Sequence, residues 1–153
     1  MLDQQSFWEF STALYSDPTV KESCLALQDE FDADVNLVLF CLWAGDVDSN
    51  ILDHAINTAW PVQRDFVKPL RAMRRTLSKA GDEADLRERI AAAELAAEKL
   101  EQERLGAILS PGRQQPSAKA ARRNLIDYAT RLGAEEQAFM AAAAPLLRAI
   151  VEN

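Results

Sequence analysis

Basic residues spaced three or four apart are the feature of this chain best suited to binding a partner. They are Arg64, Lys68, Arg71, Arg75 and Lys79. On an α-helix, with about 100° of rotation per residue, this spacing places the five side chains in one row. Like charges four residues apart destabilise a helix by roughly 0.2–0.5 kcal/mol per pair, and an anionic partner would relieve that repulsion. We therefore predict that this basic ridge binds an acidic protein surface or a phosphate-bearing ligand. A solvated helix face is the alternative interpretation.

Apolar residues of the same segment fall on the other side of the helical wheel. Val62, Phe66, Leu70, Met73 and Leu77 lie in one arc, about 180° from the basic ridge. This arrangement predicts that the arc packs on the core while the ridge faces solvent. Docking through the ridge indicates a binding or adaptor protein whose affinity for its partner falls as salt rises.

A second set of residues could form an aromatic pocket with polar groups. It consists of Trp8, Trp43 and Trp60 together with Asn36 and His54, the only histidine. Mostly apolar pockets with a few polar groups are typical ligand sites, so this set predicts a small-molecule-binding enzyme as the alternative function. Packing of the tryptophans in the core, with a histidine on the helix surface, is the simpler interpretation.

One later helix carries two stripes. The residues Leu86, Ile90, Ala93, Ala97 and Leu100 follow heptad spacing, which predicts a seam for packing or for a homo-oligomer through residues 86–100. The second stripe, Glu94, Glu98 and Glu101, flanks that seam. We expect these glutamates to pair with Arg122 or Arg123, or with Lys99 and Arg87 of the same helix.

Motifs for other chemistry are missing from the sequence. A carboxylate metal site in a helical bundle usually includes a Glu-x-x-His pair, and no histidine lies near the glutamate stripe. The sequence also has no glycine-rich phosphate loop, paired-cysteine motif or Ser-His-Asp order. We predict no metal and no cofactor, and the sequence favours a binding protein over an enzyme.

Composition narrows the possible partners and the compartment. A net charge of -7 argues against general nucleic-acid binding and against anionic membranes, since both require a positive field. The cysteines Cys24 and Cys41 lie among apolar residues, which is typical of reduced, buried thiols. The longest apolar run, near residues 35–45, is too short to span a bilayer. We expect a soluble, cytoplasmic protein.

The elements that must position these residues are all helical. Sparse glycine and proline, with no alternating apolar pattern, predict an all-α, single-domain bundle of about six to eight helices with a protruding charged hairpin. Asp17 and Asp34 are the expected N-caps of the second and third helices. The pattern predicts helices at residues 2–15, 18–31, 35–44, 51–60, 62–79, 84–109, 118–132 and 134–151. It divides the chain into a core at residues 1–109, a linker at 110–117 and a C-terminal helical pair at 118–153 that packs on the core.

Several motifs together carry a resemblance to a known family. They are Phe7-Trp8-x-Phe10-Ser11, Asp34-Val35-Asn36-Leu37 followed by Leu39 to Trp43, and Pro69-Leu70-Arg71 with Arg74-Arg75. Over about its first 105 residues the chain resembles a family of small proteobacterial proteins of unknown function. This resemblance implies a cytoplasmic, helical bacterial protein and brings no activity, cofactor or catalytic residue.

Overall fold

The computed structural model describes residues 6–109 and 116–152, and these residues form an all-α bundle without β-strands. This confirms the predicted fold class. Residues 2–5 of the predicted first helix and residues 110–115 of the predicted linker lie outside the described residues. The α-helices are α1 (Phe7–Tyr15), α2 (Pro18–Phe31), α3 (Val35–Trp43), α4 (Ser49–Val62), α5 (Lys68–Thr76), α6 (Ala84–Gly106), α7 (Ala118–Leu132) and α8 (Glu136–Glu152).

Side-chain caps set the starts of the early helices. Ser6 and Glu9 form a capping box at the start of α1. Asp17 accepts a hydrogen bond from the Thr19 amide at the start of α2, and Asp34 accepts one from the Asn36 amide at the start of α3. Both aspartates are therefore the N-caps that the sequence predicts.

The apolar core surrounds α3. Every residue of this helix after Val35 is buried, because its sequence is apolar nearly all round and neighbours cover it on several sides. Helices α2, α6 and α7 pack against it, while α8 packs mainly on α2 and α7. Phe40, at the centre, lies in edge contact with the ring of Phe7 and beside that of Trp43.

A π-helical turn, Gln63–Val67, joins α4 to α5. The sequence predicts a break at Pro61, but α4 continues through that residue to Val62 and the chain widens just after it. Proline lacks an amide hydrogen and its ring crowds the preceding turn, which favours such a departure from regular α-helical bonding. The turn rotates every residue after Pro61 relative to a regular helix.

Helices α5 and α6 form the predicted charged hairpin, joined by a short connection that ends in the 3₁₀ turn Gly81–Glu83. No residue of α5 is fully buried. The main apolar contact near the hairpin is a small cluster of Val62, Val67 and Ala97, with Leu70 at its edge. Polar contacts must therefore supply much of the remaining attachment between α5 and α6. Within residues 6–109 and 116–152, no helix combines the length and apolarity that crossing a membrane requires.

Candidate functional site

The π-helical turn determines which side chains of the α4 to α5 segment face inward. After Val62 and Gln63 the next buried residue is Val67, five residues after Val62 instead of the three or four of an α-helix. The inward face then continues through Arg71 and Arg74, whose side chains are 16% and 24% exposed. Two arginines are thus turned toward α6.

This geometry contradicts the prediction that the apolar arc packs on the core. Phe66 and Met73 are about half exposed, at 50% and 46%. Val62 is buried, and Leu70 and Leu77 are only partly buried. The helical wheel assumed an unbroken α-helix from residue 62, and the additional residue in the π-helical turn rotates the arc away from the core.

The basic ridge does not form a single row facing solvent. Arg71 lies against α6, and Lys68 pairs with Asp32 at 3.2 Å, its Nζ 5.4 Å from the ring centroid of Trp60. Three members of the ridge remain exposed, namely Arg64, Arg75 and Lys79. Of these, Arg64 pairs with its neighbour Asp65. The prediction that all five side chains form one row facing solvent is therefore wrong. Binding of an anionic partner by these cations stays a prediction.

Arg71 and Arg74 pair with the glutamate stripe of α6. Arg74 Nε lies 2.5 Å from Glu94 Oε1, and Arg71 Nε lies 3.1 Å from Glu94 Oε2. Arg71 Nη2 also donates to Glu98 Oε1 at 3.3 Å. Burial opposes ionisation of Glu94, but the hydrogen bonds from Arg74 and Arg71 outweigh it and hold the pKa of Glu94 below its ordinary value. Burial and the nearby charge of Glu94 raise the pKa of Glu98.

The prediction that the glutamate stripe pairs with Arg122 or Arg123, or with Lys99 and Arg87, is therefore wrong. Arg123 instead pairs with Asp46, in an exposed contact. The expected apolar seam of α6 is also divided between two environments, because Leu86 is 52% exposed whereas Ala97 is buried inside the chain. The polar side of α6 faces the protein, and oligomerisation through residues 86–100 stays a prediction.

A cleft of about 510 Å³ lies where α1, α2, α3, the π-helical turn and the α5–α6 hairpin meet. This volume is in the range of small-molecule sites, about 300–1,000 Å³. The apolar lining includes Trp8 from α1 and Leu25 and Leu95, which are 39% and 56% exposed. The polar lining is Ser11, Thr12, Tyr15, Ser16, Gln28, Asp34, Asn36, Gln63, Arg71, Arg74, Arg75, Glu94, Glu98 and Gln102.

Two carboxyl groups meet beside this cleft. The amide Nε2 of Gln63 donates to Asp34 Oδ1 at 3.2 Å and to Glu101 Oε1 at 2.7 Å. Burial, reinforced by the charge of Asp34, raises the pKa of Glu101 to about 10. Burial also raises the pKa of Asp34. Adjacent buried carboxyl groups cannot both ionise easily, so the pair retains at least one proton and carries at most one negative charge near neutral pH.

Hydrogen bonds fix the orientation of two amides in the cleft wall. The Glu98 backbone carbonyl can only accept, so the group of Asn36 that faces it, at 3.4 Å, is the donor Nδ2. Asn36 Oδ1 then accepts from Gln102 Nε2 at 3.0 Å. This chain of bonds leaves Gln102 Oε1 as an acceptor without a donor.

Three buried polar atoms on residues lining the cleft have no hydrogen-bond partner. They are Ser11 Oγ, Gln102 Oε1 and Asp34 Oδ2, the last apart from the proton that Asp34 shares with Glu101. Most buried polar groups in proteins are paired, and an unpaired one costs about 1–3 kcal/mol. The concentration of such atoms at one cleft is typical of a site completed by a ligand. Burial meanwhile raises the pKa of Tyr15 to about 12, so its phenol is a neutral hydrogen-bonding group there.

The structure does not assemble the predicted aromatic pocket around His54. Trp8 and Asn36 line the cleft, but Trp43 is buried in the apolar core. Trp60 is 49% exposed and lies beside a separate, smaller cavity. His54 is exposed on α4, and its side chain has no hydrogen bond or ion pair with the described residues. Within residues 6–109 and 116–152, no cluster of His, Cys, Asp and Glu is suited to hold a metal ion.

Sequence reasoning missed the most buried polar members of the site. Gln63 belongs to no motif, Arg74 and Gln102 enter only through the family resemblance, and the sequence does not predict that Glu101 lies beside Asp34. One signal was present: glutamates spaced four and three residues apart on α6, with arginines three residues apart on the preceding helix. Matching charge stripes on two helices joined by a short turn indicate a polar contact inside a hairpin.

Comparison with known proteins places the cleft inside one family region. Residues 6–105, that is 100 of the 153 residues, match the model of a family described as "Protein of unknown function (DUF2390)". Every residue that lines the cleft falls within this range. No curated protein and no solved structure matches the chain significantly.

Proposed function

Since the chain belongs to this family of proteins of unknown function, we propose a function from the structure: it binds a small organic anion in the cleft. The observation that carries this proposal is the guanidinium group of Arg75, which lines one cleft of ligand size and has no ion pair or hydrogen bond with the described residues. Ser11 and Gln102, which line the same cleft, carry buried polar atoms without a partner. Hydrogen-bond donors elsewhere on a bound molecule would pair with these atoms and recover part of the free energy lost by leaving them unpaired. The exposed Leu25 and Leu95 provide apolar surface for the body of such a molecule.

The charges of the cleft favour an anionic group on the ligand. Arg71 and Arg74 face two carboxylates, those of Glu94 and Glu98, so these four groups are close to balanced. Arg75 also lines the cleft and has no ion pair or hydrogen bond with the described residues. Its guanidinium group presents five N–H donors suited to a carboxylate or a phosphate. The proposal thus retains the predicted anion binding by Arg75 but moves it from an outer ridge to the edge of a cleft.

Thermal unfolding in the presence of organic anions tests the proposal. Suitable probes are hexanoate, 3-phenylpropionate and phenyl phosphate, with inorganic phosphate as a control for a bare anion. A ligand present at about 100 times its Kd stabilises the folded state by about 2.7 kcal/mol, a readily measured shift in Tm. We expect at least one organic anion to raise the Tm of the wild type more than inorganic phosphate does.

A pair of variants locates the binding. Arg75→Glu removes the free cation of the cleft, whereas Arg64→Glu changes an exposed arginine of the same segment that does not line the cleft. The net charge changes equally in both variants. We expect the Tm shift to be lost in Arg75→Glu and kept in Arg64→Glu. Equal loss in both variants, or no Tm shift with any organic anion, would contradict the proposal.

Docking to an acidic protein surface is a second proposal, supported by the exposure of Arg64, Arg75 and Lys79 next to Phe66 and Met73. Interfaces of this kind bury an apolar centre within a charged rim. Affinity capture should then recover one partner with the wild type and lose it with Arg64→Glu and Lys79→Glu, which leave the cleft intact. Identical captures with both baits would contradict an adaptor role.

We also propose a cytoplasmic location. Cys24 and Cys41 are buried, free thiols. Free thiols are the usual state of cysteine in reducing compartments, whereas secreted proteins commonly pair them.

A further inference from the structure

The geometry points to a zwitterionic ligand, in which an ammonium group binds beside Asp34 and Gln102 while the anionic group meets Arg75. This inference rests on the proposed function and adds the chemical class of the ligand. It depends on the polarity of the unpaired atoms, on the lack of a cation bonded to the carboxyl pair and on the position of Arg75 on a different helix.

The unpaired atoms of the cleft wall require donors from the ligand. Gln102 is 4% exposed, and the bonds from Gln102 to Asn36 and from Asn36 to the Glu98 carbonyl leave its oxygen unpaired, not its NH₂ group. Asp34 Oδ2 has no donor other than the proton that Asp34 shares with Glu101. A plain carboxylate or phosphate has no donor to offer either atom. A protonated primary amine has three N–H donors.

The carboxyl pair of Asp34 and Glu101 has no bonded cation. Asp34 Oδ1 accepts from the Asn36 amide at 2.9 Å and from the Gln63 side chain, and both donors are neutral. The donor to Glu101 is Gln63 again. The nearest arginine, Arg71, is already bonded to two glutamates. An ammonium group on the ligand would supply the missing counter-charge, since a buried charge is stable only when it is paired.

Arg75 supplies the positive group. It belongs to α5, whereas the carboxyl pair is formed by the start of α3 and the C-terminal half of α6. Trp8 and Leu95 also line the cleft and provide apolar surface for the carbon skeleton of a ligand. A cleft with one free positive group, one unpaired negative group and apolar surface is complementary to an amino acid or to a longer ω-amino acid.

Calorimetric titration with matched probes tests this inference. One set is 6-aminohexanoate, hexanoate and hexylamine; the other is 4-(aminomethyl)benzoate, 4-methylbenzoate and benzylamine. Within each set the skeleton is similar and only the charged groups differ. Hydrogen bonds to charged groups contribute about 1.5–3 kcal/mol, so the zwitterion should bind about 10- to 100-fold more tightly than the plain acid.

Two variants should lower the affinity for the zwitterion more than the affinity for the plain acid. Asp34→Asn lowers the negative charge but keeps a good N-cap for α3, and Gln102→Leu removes the free acceptor on α6. In both we expect the affinity of the zwitterion to fall to that of the plain acid. Circular dichroism and Tm establish that each variant is folded, and Asp34→Asn keeps the test valid if Gln102→Leu does not fold.

The outcomes separate this inference from the proposed function. A plain acid that binds as tightly as the zwitterion overturns the zwitterion inference and leaves anion binding intact. An amine that binds as tightly as the zwitterion, with no binding of the acid, overturns both. Absence of binding in both sets also overturns both. A preference for the zwitterion that survives Asp34→Asn and Gln102→Leu overturns the placement of the ammonium group.

Discussion

Two parts of this molecule bury their side chains by opposite means. Around α3 the contacts are apolar, and Phe40, at 0% exposure, lies against other aromatic rings. Between α5 and α6 the contacts are largely polar: Glu94 and Gln102 are buried while Leu95, on the same helix, is 56% exposed. The first region buries apolar residues, as is usual in proteins. The second region buries polar residues and exposes an apolar one.

The reversal indicates which region is specialised for binding. Apolar packing is non-directional and tolerates many sequences, so it supports the fold without requiring particular partners. A buried polar interface requires a partner for every group, and leaving such groups unpaired is costly. The apolar core holds its neighbours by shape, whereas the α5–α6 interface holds directed groups in place, beside a cleft whose wall includes polar atoms without partners. The following predictions test this contrast.

The largest effect is expected from truncating the apolar core. Phe40→Ala removes a fully buried ring and leaves a cavity between α3 and α1. Substitutions of this kind cost about 3–5 kcal/mol. Urea denaturation should show this loss in the free energy of unfolding, with an unchanged m value. A loss below about 1 kcal/mol would mean that the core around α3 is not tightly packed.

Truncating the polar interface should cost somewhat less. Glu94→Ala leaves Arg71 and Arg74 without their shared carboxylate in a partly buried site. We expect a loss of about 2–4 kcal/mol, because removing one partner of a buried ion pair leaves the other charge uncompensated. The control is Asp85→Ala, which breaks an exposed pair with Arg89 on the same helix and should cost less than about 0.5 kcal/mol. Equal losses would contradict the distinction between the two environments.

The carboxyl pair should make stability depend on pH. In the unfolded chain Glu101 has its ordinary pKa of 4.5, and in the folded protein its pKa is raised to about 10. Between these values the folded state holds a proton that the unfolded state has lost, so raising the pH favours unfolding. The raised pKa of Asp34 acts in the same direction. From pH 6 to 9 we expect stability to fall, by at most about 1.4 kcal/mol per pH unit for one proton.

Glu101→Gln isolates this effect. The substituted amide keeps the size of the side chain, cannot ionise and can donate to Asp34 in place of the shared proton. We expect a flatter stability profile between pH 6 and 9 and a gain in stability at the alkaline end. Glu103→Gln, at an exposed position of the same helix, should leave the slope unchanged. A wild-type profile that is flat, or that rises with pH, would contradict a shared proton.

Sequence reasoning predicted the apolar region well and the polar region poorly. The all-round apolar pattern of α3 identified the central helix, and Asp17 and Asp34 identified two helix starts, because both signals are local. The direction of Arg71 could not be predicted in this way, because it depends on the π-helical turn that follows Pro61. Such a turn adds a residue without a distinct sequence signature.

The inward face of α6 was also beyond a periodicity argument. Hydrophobic periodicity assumes that apolar residues face the protein, and here the glutamates do so because arginines from α5 neutralise them. The pairing of Asp34 with Glu101 joins residues 67 positions apart (101 − 34), and no local pattern reports such a contact. The cleft therefore became visible only when its elements were placed in space.

The smallest effect is expected at the residue that the regular helical wheel places on the core side. Phe66 is 50% exposed, whereas its neighbour Val67 is fully buried. We expect Phe66→Ala to cost less than about 1 kcal/mol, and Val67→Ala to cost about 2 kcal/mol through the loss of buried methyl groups. This order is unusual, since truncating phenylalanine normally costs more than truncating valine. Urea denaturation of both variants measures it.

The order of these two losses tests the register of the entire hairpin. If Phe66→Ala costs more than Val67→Ala, the segment is a regular α-helix and Phe66 packs on the core. Arg71 would then face solvent with the rest of the basic ridge, and the pairing with Glu94 and Glu98 that closes one side of the cleft would be lost. If Val67→Ala costs more, the π-helical turn is present and directs the arginines of α5 toward the glutamates. Two conservative truncations at adjacent positions thus decide whether the binding region is the cleft or the outer surface of α5.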